Sequence, residues 1–191
     1  MDLAVKATLI GLLVFAVARP DLPQFHGKAM AGRALTYPLA ALIVPVWWWL
    51  RGRQRGSSYP YALDTLLVLP FLIDVAGNAA NLYDRIGWWD DANHFVNWAI
   101  LVSAFGQLLV RLPVQRLAAF GLAVGFGCVT AVLWEFAEYF TFIRNSPELK
   151  TAYTDTLGDL ALGLSGSVLA AWITVTVLWA KDTATQARAA V

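Results

Sequence analysis

Apolar residues run along this chain in six long blocks, and the polar residues between them form short, turn-like breaks. The blocks cover 3–18, 34–50, 61–83, 92–110, 117–143 and 154–180. Their lengths bracket the ~17–25 mostly apolar residues that cross a bilayer as a helix. The breaks carry the residues that end helices. Arg19-Pro20-Asp21-Leu22-Pro23 closes the first block, a basic Gly/Ser-rich turn from Arg51 to Ser58 the second, Leu112-Pro113 the fourth and Asn145-Ser146-Pro147 the fifth. The pattern predicts an all-α fold: a polytopic transmembrane bundle of six helices, with 1–191 as a single integral membrane domain. Only helices satisfy their backbone hydrogen bonds within a single span. The first block carries one early Lys6, but Ala18-Arg19-Pro20 is a poor signal-peptidase site. It is expected to be a retained helix.

Composition agrees with a membrane chain. Of 191 residues 59% are hydrophobic and 14% charged, against roughly 25% charged in soluble domains. A net charge of +1 with no basic stripe excludes a nucleic-acid partner. The single cysteine, Cys128, lies in an apolar run, forms no intramolecular disulfide and reads as a small packing residue. Basic residues set the orientation. With the N-terminus inside, Lys6, Arg51, Arg53, Arg55, Arg111, Arg116, Lys181 and Arg188 fall on the inner face. Arg19, Lys28, Arg33, Arg85, Arg144 and Lys150 fall on the outer one. The bias favours cytoplasmic N- and C-termini. Trp47–Trp49 and Trp179 suit anchors at one interface, Trp88 and Trp89 at the other.

Polar residues inside the blocks carry the chemistry. Asp74, Asn78 and Asn81 lie late in the third helix, and Asp90, Asp91, His94 and Asn97 begin the fourth. Glu135 and Glu138 lie late in the fifth, and Asp155 and Asp159 begin the sixth. Alternating helix directions bring all four groups to one face of the membrane. Spacings of three, four and seven give each helix a single polar stripe. Clustered carboxylates repel one another unless they are protonated, paired or metal-bound. No lysine or arginine is expected inside these helices, and Arg85 and Arg144 are the nearest candidates. A divalent ion is the other solution. Carboxylates suit Mg, and an imidazole in the set also admits Zn, Mn or Fe.

Plainer roles compete. Asp90, Asp91 and Asp155 suit helix N-caps, and Asp64 suits an interfacial or capping position. Asn78, Asn81 and Asn97 suit helix-to-helix hydrogen bonds, and a structural ionic network through Arg144 accounts for Glu135 and Glu138. Gly121 with Gly125, and Gly158, Gly163 and Gly166, suit close helix approach.

The order Asp91-x-x-His94, then Glu135-x-x-Glu138, then Asp155-x-x-x-Asp159 before Gly163 and Gly166 resembles the VanZ-like membrane proteins. It is closer still to the related YjdF-like group. The likeness runs from about Asp74 to Ala171; the first two helices match only as apolar segments. VanZ-like proteins usually carry glutamine where Glu138 stands, often with an arginine before the last acidic motif. Tyr153 and Thr154 in front of Asp155 favour the YjdF-like group. The resemblance implies a multi-pass protein of the bacterial inner membrane. It supplies no reaction, although VanZ itself is associated with glycopeptide-antibiotic resistance.

Three functions follow as expectations. The first is a metal-dependent enzyme acting on a membrane lipid or lipid-linked substrate. His94, Glu135, Glu138, Asp155 and Asp159 would hold the ion, and Asp74 or Asp91 would be the spare carboxylate serving as general base. The second is a cation or proton transporter using the same cluster. The third is a non-catalytic membrane helper with a structural ion site.

Overall fold

A computed structural model describes residues 2–179. Among them there is no strand, and seven α-helices follow one another: α1 (Asp2–Ala18), α2 (Met30–Trp47), α3 (Tyr61–Ala79), the short α4 (Leu82–Arg85), α5 (Trp89–Leu109), α6 (Arg116–Thr141) and α7 (Ala152–Ile173). Wide turns at Trp48–Gly52 and Thr174–Leu178 prolong α2 and α7. Ala180, Lys181, Arg188 and the C-terminus, which entered the expected sixth helix and the orientation, lie outside the described residues.

Among the described residues four segments are long and apolar enough to cross a membrane: Met30–Arg55, Tyr61–Ala79, Arg116–Asn145 and Ala152–Leu178. Six were expected, and the two others fall short for separate reasons. α1 has 17 residues. α5 has 21 but begins with Asp90, Asp91, Asn93, His94 and Asn97. Yet α5 is the central helix, packed against α3, α6 and α7. A helix enclosed by other helices can hold polar side chains that lipid would reject.

Helix ends depart from the expected boundaries in ways that matter for the site. α2 starts four residues before position 34, so Arg33 lies in its first turn rather than in a loop. α3 stops at Ala79 rather than Tyr83, because Asn81 takes a left-handed conformation (φ 57°) that turns the chain. The stripe from Asp74 therefore ends at Asn78, and Asn81 becomes the pivot that swings Tyr83 back toward Asp74. α5 starts three residues before position 92.

Polarity is inverted relative to a soluble bundle. Val129, Leu133, Phe136 and Phe140 of α6 are exposed, whereas Asp64, Asp74, Asn93, His94, Glu135 and Asp159 are buried. Close packing of α7 on α5 depends on small residues. A β-carbon at Gly166 would collide with the Phe95 carbonyl, and one at Gly163 with the Trp98 ring. Gly121, Gly125 and Gly158, expected in the same role, face open space; Gly127 against Ser167 takes that place in α6.

Asp64, in the first turn of α3, makes no cap. It is fully buried and paired with Lys6 of α1 at 2.5 Å, with the Tyr59 hydroxyl donating to the same carboxylate oxygen. Burial, then this bond to Asp64, pushes the Tyr59 phenol up and keeps it a donor. The pair ties α1 to α3 at the end of the bundle opposite the His94 cluster.

Candidate functional site

The N-terminal ends of α2, α5 and α7 meet the C-terminal halves of α3 and α6 at one end of the bundle. Two neighbouring polar groups form there. The first surrounds Asp74. Arg33 Nε donates to its Oδ2 at 2.8 Å, the Tyr37 hydroxyl to the same oxygen at 2.5 Å, and the Tyr83 hydroxyl to Oδ1 at 3.1 Å. Asn78 Nδ2 adds a bond to Oδ1 at 3.1 Å. Arg33 also donates to the Lys28 carbonyl, and the guanidinium lies 5.8 Å from the Phe142 ring centre. The cation that pairs with Asp74 is Arg33 of α2, not Arg85 or Arg144 as expected. A first-turn arginine reaches the buried acid because a long side chain at a helix end can extend along its own helix. Asp74 is thus a fully engaged carboxylate, not the spare one expected.

The second group surrounds His94, which is 6% exposed. Its Nδ1 lies 3.8 Å from Glu135 Oε1, and its Nε2 lies 3.6 Å from Asp159 Oδ1 and 3.8 Å from Asp90 Oδ1. Thr156 donates to Glu135 Oε2 at 2.9 Å. Two overlapping sets, Asp90–His94–Asp159 and His94–Glu135–Glu138, each place their ligand atoms within 4.8 Å of one another. Nitrogen and carboxylate oxygen in this number are the donor set of a Zn, Mn or Fe ion.

Two expected members stay apart. Asp91 and Asp155 are exposed and belong to neither set. Asp90 stands where Asp91 was expected, because the four-residue spacing, rather than the three-residue one, faces His94. No side-chain cap occupies the start of α5 or α7.

A cavity of about 290 Å³ joins the two groups. Its outer end is polar, with Arg33, Tyr83, Asp74, Asp90, His94 and Glu138. Its inner end is apolar, with Pro70, Phe71, Leu101, Leu133 and Trp134. Asn93 and Asn97 lie between. Arg33, Tyr37, Tyr83, Asp90, Asn93 and Thr130 are the polar lining residues that sequence reading missed as site residues. For Arg33 the signal was present: it sits one residue before an apolar block, on the face assigned to the acids.

Similarity searches place this architecture. The family model described as "Predicted membrane protein (DUF2238)" matches residues 2–180. The chain belongs to the DUF2238 family. It is therefore a membrane protein with transmembrane helices, and the DUF2238 match includes every residue of both polar groups. An uncharacterized protein of Thermotoga maritima is 35% identical over 105 residues, covering 50% of this chain and 52% of the relative. The chain thus matches about half the length of that relative. No solved structure matches.

Proposed function

We propose that this DUF2238 protein is a six-span protein of the bacterial inner membrane with a divalent-cation site around His94. The cation would act on the headgroup of a membrane lipid or lipid-linked substrate. One observation carries the reading: a buried imidazole stands among four carboxylates, while Arg33, the cation lining the same cavity, is taken by Asp74. Four ionised acids around one imidazole repel strongly in a low-dielectric site, and a dication offsets that repulsion.

The geometry revises the roles expected of single residues. His94 through Nδ1, Glu135 and Glu138 hold the ion, and Asp159 faces Nε2 on the other side of the ring. Asp90, 47% exposed and facing the cavity, becomes the free carboxylate that positions water or accepts a proton. Asp74 positions Tyr37, Tyr83 and the start of α2. Asp91 and Asp155 take no part. A bound dication supplies Lewis acidity toward a phosphoryl or carbonyl oxygen, so hydrolysis or group transfer at a headgroup is the matching class. The likeness to VanZ-like and YjdF-like proteins supports the inner-membrane assignment, and the distribution of basic residues supports the cytoplasmic termini. Transport fits less well. Fully buried Val68 lies between Asp64 and Asp74 on α3, and the cavity ends at Leu101 and Thr130.

Metal analysis of the detergent-purified protein tests the site. About one equivalent of a divalent ion is expected in wild type, and its loss in His94→Ala and Glu135→Gln. Wild type without metal overturns the site, and metal retained in both variants overturns the ligand set. Turnover of lipid by reconstituted wild type and not by Asp90→Asn, without ion flux, separates enzyme from transporter.

A further inference from the structure

The end of the bundle opposite the His94 cavity is positively charged. Arg51, Arg53 and Arg55 follow α2, and Arg111 and Arg116 bracket the turn between α5 and α6. All five are exposed. Among the described residues their guanidinium groups have no hydrogen bond and no ion pair. The turns 48–60 and 110–116 hold no acid. Among the described residues the acids at this end are Asp2 and Asp64, which are buried and drawn to Lys6, at 3.8 and 2.5 Å. No exposed acid is left to neutralise the five arginines.

Packing sets two of these arginines at one level. Val44 of α2, Leu63 of α3 and Ala104 of α5 share an apolar cluster. Arg51 lies seven residues beyond Val44 and Arg111 seven beyond Ala104, on helices that run the same way. Each therefore stands about 10 Å past that contact at ~1.5 Å per residue. The turn that displays Arg53 and Arg55 is closed. Ser57 N donates to the Gly52 carbonyl at 3.0 Å and Gly56 N to the Arg53 carbonyl at 3.1 Å, with Gly56 in the left-handed region at φ 67°. Trp48 Nε1 donates to the Ser57 carbonyl at 3.0 Å, and the Trp48 ring stands edge-on to Tyr59, whose hydroxyl is bound to Asp64. The arginines project from a base tied to the core, so little backbone order has to be gained when they take a ligand.

Depth and charge select that ligand. Trp47, Trp49 and Tyr61, just before and after the arginines, are 46, 62 and 63% exposed. Exposed Trp and Tyr at a span end lie at the headgroup level of a bilayer, so guanidinium groups beside them lie among phosphates. The guanidinium fork pairs with phosphate through two parallel bonds. A basic cluster at this depth favours lipids of net negative charge over zwitterionic ones. Residues 180–191 carry Lys181 and Arg188 against Asp182, so they supply no net negative charge. We infer that this face binds the headgroups of anionic phospholipids such as phosphatidylglycerol, in the inner leaflet under the orientation proposed above. The assignment does not depend on a cation at His94.

Spin-labelled lipids added to the full chain in phosphatidylcholine bilayers test this. Electron spin resonance reads the share of label held at the protein surface, for phosphatidylglycerol and for phosphatidylcholine. Wild type is expected to prefer phosphatidylglycerol by about fivefold, and to lose the preference in about 1 M salt, which screens exposed charges. The triple variant Arg51→Gln, Arg53→Gln, Arg55→Gln is expected to fall below about twofold. The same three positions changed to lysine should keep most of the preference. Arg85→Gln with Lys150→Gln, at the opposite end, should leave it unchanged. No preference in wild type overturns the assignment and leaves the face to an acidic protein partner. A preference that persists in the triple glutamine variant, or that the opposite-end variant abolishes, also overturns it. If the glutamine variant does not fold, the salt series decides alone: a preference that about 1 M salt leaves unmoved overturns the assignment.

Discussion

Replacing Arg33 by glutamine strands Asp74 inside the bundle. Its two phenols and Asn78 remain, but they do not neutralise a charge. Removing one partner of a buried ion pair costs about 3–5 kcal/mol, because the other charge is left unpaired. Arg33→Gln and Asp74→Asn are each expected to lower stability by that amount in detergent denaturation. The double variant should recover part of it, because neither charge is then unpaired. His94→Gln should behave differently: it removes a proposed metal ligand, so its larger effect should fall on metal content. Sequence reading found His94 and Glu135 because each interrupts an apolar run at helical spacing from other acids. It missed Arg33 and Tyr83 because their partners are set by a helix start and by the left-handed Asn81, and neither leaves a periodic trace. Asp90 and Asp91 both suit the stripe, and only packing decides between them.

Helix contacts in this bundle are set by where glycine lets backbones meet. Gly166 faces the Phe95 carbonyl, a backbone atom that cannot rotate away. Gly166→Ala is expected to cost roughly 1–3 kcal/mol by overpacking. Gly121→Ala, facing open space, should be neutral or stabilising by up to about 1 kcal/mol from helix propensity. Comparing the two by thermal unfolding separates packing from composition. The pair also tests the site at a distance. Asp159 lies seven residues from Gly166 on α7, so a displaced α7 should pull Asp159 from His94 and weaken metal retention. Gly121→Ala should leave it intact. The glycine-rich character of this helix was readable in sequence, as was the all-helical class. Which glycines meet a neighbour was not, since that depends on how α7 is rotated against α5. Gly121 and Gly125 have the right spacing and the wrong face.

Two buried ion pairs brace the molecule at opposite ends, Lys6–Asp64 between α1 and α3 and Arg33–Asp74 between α2 and α3. Each needs its acid to lie at a particular end of α3, so together they constrain which helices run through the membrane. Apolar length alone admits four spans. The six spans proposed above require α1 and α5 to cross as well; both lie packed along α3, and 21 residues of α5 reach about 31 Å, the thickness of a ~30 Å hydrocarbon core. The alternatives differ at one loop. If α5 crosses, residues 57 and 113 share a face and residue 87 lies on the other. If α5 does not cross, 87 and 113 share a face. Single cysteines at Ser57, Gly87 and Pro113, in a chain with Cys128→Ala, distinguish them by labelling with a membrane-impermeant maleimide. We expect Gly87→Cys to be labelled from the periplasmic side, and Ser57→Cys and Pro113→Cys only after the membrane is opened. The same experiment fixes the face on which the His94 cavity opens, because residue 87 lies at the end of the bundle that holds Asp90. Labelling of Ser57→Cys from outside, with Gly87→Cys protected, would turn the protein over and place the cavity toward the cytoplasm. It would leave the six spans standing and remove outer-leaflet lipids from its reach.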